Sequence, residues 1–189
     1  MQISPRVVSL PGIRGFSIVE LMVVLSIASI LLAIGVPSFS AMIQNQRLTT
    51  TVNDFFMTLN LARSEAIRRG ARVDVAPADG TNWTQGWIVF VDKNNNQKAD
   101  FGDQVIFSHG PVSKAMTIKS AFTDSSKVYL AYNGSGRTRT NASNQTPQIG
   151  TISFVLDERV RRIKLNFLGR PRACNPERDS TCTGSADPN

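Results

Sequence analysis

The chain has 189 residues, 41% of them apolar, and 21 Lys and Arg against 14 Asp and Glu give a net charge of +7. That length suits one ordinary domain with a real core, and the ordinary Gly, Pro and apolar content excludes fibrous and disordered classes. A single histidine, His109, and two cysteines leave little material for a metal centre or a His-dependent catalytic dyad; His109 reads as a half-exposed residue at a strand end.

Residues 1–15 are short and basic, with Arg6 and Arg14, and Pro5, Pro11 and Gly12 break any helix. Phe16 to Phe39 then reads FSIVELMVVLSIASILLAIGVPSF, with Glu20 as its one charge. Roughly 20 apolar residues are what a helix needs to cross a bilayer core. Positive charge before the run predicts a cytoplasmic N-terminus and an exported remainder. A cleaved secretory signal would have an apolar region of only roughly 7–15 residues. A plain signal anchor fits the length, but a carboxylate five residues into the span needs a partner.

Arg14-Gly15-Phe16-Ser17-Ile18-Val19-Glu20, followed by the uninterrupted span, resembles the class III signal of type IV pilins and pseudopilins. The resemblance implies that prepilin peptidase, a membrane aspartyl protease, cuts between Gly15 and Phe16 and that the new Phe16 amine is N-methylated. Residues 1–15 are then a leader, and 16–39 the half of the helix that sits in the membrane and later in the filament core. Glu20 is expected to neutralise the Phe16 amine of a neighbouring subunit, because a lone buried carboxylate is costly and pairing removes most of that cost.

Beyond the span, Leu48, Val52, Phe55, Phe56, Leu59, Ala62 and Ala66 recur at helical spacing, so residues 40–70 read as the amphipathic half of the same helix. Gly70 stops it, with Arg68 and Arg69 in the last turn. The whole helix, Phe16 to about Arg69, is roughly 80 Å long, and Gly35 and Pro37 are expected to kink or loosen it. Residues 71–189 then carry strand patterns at Val73–Val75, Trp87–Val91, Val105–Phe107, Met116–Lys119, Val128–Tyr132, Ile152–Leu156 and Ile163–Phe167. The polar stretch Asn141–Gln148 reads as a loop. One long helix followed by a run of strands predicts an α+β domain with an antiparallel sheet packed on the helix.

Asp92, Asn94, Asn96, Asp100 and Asp103 space oxygen ligands much as a Ca²⁺ loop does. Gln97 stands where the sharp turn wants Gly, Asp103 replaces the bidentate Glu, and strands flank the segment. A hairpin loop whose Asn and Asp side chains satisfy local backbone is the favoured reading. Cys174 and Cys182 lie near the C-terminal end of an exported chain, where two cysteines usually pair, and the bridge would pin the tail against the domain.

Positive charge is concentrated. Residues 127–172 hold nine Lys and Arg against Asp157 and Glu158. Two segments share one form, Gly136-Arg137-Thr138-Arg139 and Gly169-Arg170-Pro171-Arg172, and each is read as a loop following a strand. Alternate arginines can grip successive phosphates, with Lys164 adding charge nearby. The first loop is longer and richer in Gly and Ser, so Arg137 and Arg139 are expected to contribute less than Arg170 and Arg172. Nothing in the sequence points to an enzyme or a cofactor: there is no phosphate-cradling Gly loop, nucleophile elbow or evident acid pair.

The order of helix, Gly-Trp strand, DxNxN turn, late Gly-rich loop and final Gly-Arg-x-Arg resembles the FimT/GspH group of minor pilins and type II secretion pseudopilins. That resemblance implies a type IV pilin fold. It implies as partners the membrane, prepilin peptidase, the inner-membrane assembly platform and other major and minor pilins. It implies a periplasmic C-terminal domain in the inner membrane, then a place in an extracellular pilus. In FimT-like pilins the C-terminal Gly-Arg-x-Arg is associated with DNA binding in natural transformation, which here maps to Gly169, Arg170 and Arg172. Without a base-reading motif, such binding is expected to be to double-stranded DNA, non-specific and phosphate-driven. The alternatives are a structural minor pilin that primes pilus assembly and a pseudopilin of a type II secretion system.

Overall fold

The computed structural model describes residues 15–184. A single helix, α1 (Ile18–Arg69), is followed by strands β1 (Val73–Pro77), β2 (Trp87–Val91), β3 (Gln104–His109), β4 (Met116–Phe122), β5 (Leu130–Tyr132), β6 (Thr138–Arg139), β7 (Gly150–Leu156), β8 (Arg159–Leu165) and β9 (Pro171–Cys174). The chain divides into two compact units, one through Met42 and the other from Ile43 onward.

In the first unit the helix begins on a cap that the strand-and-span reading overlooked. The Ser17 hydroxyl accepts the Glu20 N–H at 3.2 Å and the Ser17 carbonyl accepts that of Leu21 at 3.1 Å, so Ser17-x-x-Glu20 opens the helix with the sequence of a capping box. The large hydrophobic side chains that follow, from Ile18 to Val36 and at Phe39, are exposed, and the helix is long and apolar enough to cross a membrane. Ser26 and Ser29 satisfy their hydroxyls by donating to the carbonyls of Met22 and Leu25 one turn back, at 2.8 and 2.6 Å. The chain stays helical through Gly35 and Pro37.

The second unit carries the core. Leu48, Val52, Phe55, Leu59, Ala62 and Ala66 form the buried stripe of α1, and the helix stops where Gly70 turns left-handed, its N–H bonding Ile67 O while that of Ala71 bonds Ala66 O. Two antiparallel sheets cover this stripe where the sequence suggested one. The first has strand order β3-β2-β1-β5-β6 and the second β4-β7-β8-β9. Val75, Trp87, Val89 and Leu130 from the first join Ile118, Ile152, Phe154, Ile163 and Leu165 from the second in one core with the helix. Phe55 is its hub, meeting Trp83, Trp87 and Phe154 edge-on at 4.8–5.5 Å. Both indoles are satisfied, Trp83 by Ser120 and Trp87 by Thr58. His109, the last residue of β3, is half-buried and stacks flat on Trp87.

Several expectations for the strands shift, and β6 (Thr138–Arg139), like β9, falls where a loop was expected. β9 was not anticipated; it starts at Pro171, a residue tolerated at the first position of an edge strand because no N–H is required there. β8 starts earlier, at Arg159, and stops at Leu165, leaving Phe167 exposed in a turn. Asp74, the polar member of an alternating strand, is fully buried rather than solvent-facing.

Every buried hydrophobic side chain among the described residues lies at or beyond Leu48, so the unit from Ile43 onward holds its own core. Phe55→Ala in that unit is expected to lower its stability by about 3–5 kcal/mol, and Met57→Ala, on the exposed side of the same helix, by less than about 0.5 kcal/mol. Urea denaturation of the two variants checks this, and equal midpoints would refute the assignment of the hub.

Candidate functional site

The two Gly-Arg segments are the same structure built twice. Asn133-Gly134-Ser135-Gly136-Arg137 joins β5 to β6, and Asn166-Phe167-Leu168-Gly169-Arg170 joins β8 to β9. In the first, the Asn133 side-chain oxygen accepts the N–H groups of Ser135 and Arg137, both at 3.1 Å. In the second, the Asn166 oxygen accepts those of Leu168 and Arg170, both at 3.0 Å. Each Gly donates to its Asn carbonyl, Gly136 at 2.8 Å and Gly169 at 2.9 Å, and each Gly has φ of +74°. This is a turn closed by a Gly in the left-handed region, a position that a residue with a Cβ occupies only under strain. The repeated unit is therefore Asn-x-x-Gly-Arg-x-Arg, and the asparagine was the legible signal that the sequence reading passed over.

The two turns also touch. A Cβ on Gly169 would stand 2.8 Å from the Gly136 oxygen, 2.8 Å from the Thr138 nitrogen and 3.1 Å from Arg137 Cα. The end of α1 supports the first turn, since Arg63 Nε donates to the Gly136 oxygen at 2.8 Å and Gly134 lies against Gly70. Each sheet thus contributes one hairpin end, and the main chains of the two ends meet.

The basic side chains have unequal freedom. Arg137 and Arg170 are exposed and their guanidinium groups make no hydrogen bond or ion pair among the described residues. Arg172 lies on β9, not in a loop; it pairs with Asp179 at 3.0 Å and bonds the Thr181 hydroxyl at 3.1 Å. Lys164, its cross-strand partner, donates to the Thr181 carbonyl at 2.9 Å. Arg139, half-buried on β6, turns back on the carbonyls of Thr140 and Asn141, and burial together with Arg72 pushes its pKa down. The first loop, expected to be the longer and costlier to order, is a turn of the same length and the same hydrogen bonds as that of Arg170.

The tail explains what happens to Arg172 and Lys164. Cys174 and Cys182 form a disulfide, and the chain between them crosses the outer face of the second sheet. Buried Arg162 reaches the Cys182 carbonyl and, at 3.3 Å, the Ser153 hydroxyl. Asp179 is held below the usual carboxylate range by Thr181 and, in lesser part, by Arg172.

Loop 92–103 is held largely by its own side chains. Asp92 accepts the N–H groups of Asn96 and Gln97, Asp103 those of Lys93 and Asp100, and Asn94 and Asn96 turn their amides onto Asp100. Asn95 and Gln97 both have φ near +60°, so Gln97 does adopt the conformation that a Gly would take. A second polar node was not foreseen. Arg72 grips Asp74 bidentately at 2.6 Å, and also bonds Asn95 at 2.9 Å and Asn141 at 2.7 Å. It fastens loops 92–103 and 141–148 over the outer face of the first sheet. Burial pushes the Asp74 carboxyl up to about 6 against the pull of Arg72.

At the other end of the chain, residues 1–14 lie outside the described residues. Gly15 and Phe16 are exposed ahead of α1, and the exposed Glu20 carboxylate has no partner among the described residues.

Gly169→Ala is expected to strain the second turn and press on the first, lowering stability by about 1–3 kcal/mol. Asn166→Ala, which removes one acceptor from two N–H groups, should cost about 1 kcal/mol. Thermal unfolding of both variants measures this; an unchanged midpoint for Gly169→Ala would mean that the turns do not pack as described.

Comparison with known proteins gives the family and the fold. The family model for type II transport protein GspH matches residues 51–169, and that for the prokaryotic N-terminal methylation motif matches residues 11–36. Over 96 residues the chain is 32% identical to pilin-like protein PilA1 of Thermus thermophilus, a match covering 51% of this chain and 59% of that one. The chain thus spans about three-fifths of the length of that relative. The type IV minor pilin FimU of Pseudomonas aeruginosa has a similar structure, with a TM-score of 0.57 at 16% identity over 75% of this chain and 96% of that one. The minor pseudopilin EpsH from the type 2 secretion system of Vibrio cholerae gives 0.50 at 14% identity, over 69% and 98%. The structural likenesses show a shared fold, a long N-terminal helix packed on antiparallel sheets. With a match over more than half its length, the chain belongs to the GspH family of type II transport proteins.

Proposed function

We propose that this chain is a minor type IV pilin that enters a pilus and binds extracellular double-stranded DNA without sequence preference, for uptake in natural transformation. Its leader is cut between Gly15 and Phe16, the Phe16 amine is methylated, and the helix from Phe16 anchors it in the inner membrane with the β domain outside. Glu20 then takes up the amine of a neighbouring subunit. The solitary exposed carboxylate and the methylation-motif match support this route.

The observation that carries the DNA reading is the contact between two turns, each held by its own hydrogen bonds, that carry the unpartnered Arg137 and Arg170. Rigid presentation lowers the ordering cost of binding, and the neighbouring cations add to the local field. A second reading, a pseudopilin of a type II secretion system, is favoured by the description of the matching family. Deletion separates the two: loss of transformation supports the first, loss of exoprotein secretion the second, and loss of piliation a priming role.

The unit from Ile43 onward is expected to bind duplex DNA with a Kd of about 10⁻⁴–10⁻⁶ M, falling steeply with salt. Arg137→Ala with Arg170→Ala should remove most of the binding and lower the salt slope by about 2. Arg172→Ala should cost less, and Asp179→Ala, which releases Arg172, should tighten binding. Fluorescence anisotropy at two salt concentrations decides this, and a parent that binds no duplex at low salt overturns the DNA reading.

Glu20→Ala in the full chain is expected to be processed normally yet incorporate poorly into filaments, since the Phe16 amine loses its counter-charge. Mass spectrometry of sheared filaments reads both; a mature chain not starting at Phe16, or normal incorporation of the variant, would refute this part.

A further inference from the structure

Phe167 occupies the turn position that Gly134 fills in the twin turn, yet it is 59% exposed and packs into neither core cluster. Its ring is therefore accessible at the tip of the hairpin. It lines a groove of about 510 Å³ whose other walls include Arg137, Thr138, Asn144, Gln145 and Pro147. That volume is in the range of small-ligand sites. The side-chain amides of Asn144 and Gln145 are exposed and have no hydrogen-bond partner among the described residues, and the buried Thr138 hydroxyl has none either. The groove therefore joins one flat apolar ring, free amide donors and acceptors, and one free guanidinium.

We infer that this groove receives an unpaired DNA base, stacked on Phe167 with its edge toward the Asn144 and Gln145 amides and its phosphate on Arg137. The inference rests on the DNA reading above and deepens it. A base within a duplex has both faces covered by its neighbours and its pairing edge engaged. Only an unpaired base, at a single-stranded stretch or a frayed end, offers a free face to an aromatic ring and a free edge to amides. Phosphate contacts through Arg137 and Arg170 hold any DNA, whereas the groove holds the unpaired part of it.

The test uses the unit from Ile43 onward, with labelled oligothymidylate and a covalently closed, relaxed circular duplex as the two probes. Phe167→Ala should weaken binding of the oligothymidylate by about tenfold or more and that of the closed circle by less than about twofold. Phe167→Trp should restore the single-strand affinity. Equal losses on both probes, or no loss on the oligothymidylate, overturn the inference. If Arg137→Ala with Arg170→Ala weakens both probes while Phe167→Ala weakens neither, the phosphate reading stands and the groove assignment falls. If the parent binds neither probe, both fall.

Discussion

Burial of one stripe of α1 orders everything beyond Ile43. Leu48 through Ala66 present a face that neither sheet could cover alone, and Phe55 in its middle takes Trp83 and Trp87 from one side and Phe154 from the other. Two sheets that share one helical surface have their relative position fixed by it. Their hairpin ends therefore meet at the end of the helix, where Arg63 and Gly70 hold the first turn. The basic site is a consequence of core packing, not a separate addition to the surface.

The outer faces of the two sheets are closed differently. Loops 92–103 and 141–148 lie over the first, drawn together by Arg72 and its buried partner Asp74. A tail fixed by a disulfide crosses the second, and its carbonyls and carboxylate absorb Arg162, Lys164 and Arg172. Both covers are polar, so each depends on hydrogen bonds with specific geometry where the core depends on area. The tail thus occupies Arg162, Lys164 and Arg172, while Arg137 and Arg170 on the neighbouring turns keep their guanidiniums without a partner among the described residues.

Much of this was legible. The apolar and amphipathic halves of α1 follow from composition and period, and β2, β7 and the inner positions of β8 follow from alternation, because each signal is local. Asp74 was not legible as buried, because its compensation comes from Arg72 and from loops folded over it, which no spacing encodes. β9 was missed because Pro171 and two polar neighbours read as a stiff loop, and an edge strand needs no apolar pattern on its open side. The two arginine segments were recognised as alike, but their contact was not, since it depends on which sheet each hairpin joins. The occupation of Arg172 by Asp179 depends on the path of the tail, which the bridge sets.

The contact between Gly136 and Gly169 has a further meaning. Because main chain touches main chain there, the separation of the two guanidinium-bearing Cα atoms is set by backbone dimensions and not by the sizes of surrounding side chains. Surface residues nearby can drift in charge, length or polarity without moving that separation. The strength of the electrostatic field is free to vary across descendants of this sequence, while its footprint stays constant for as long as position 169 acquires no side chain.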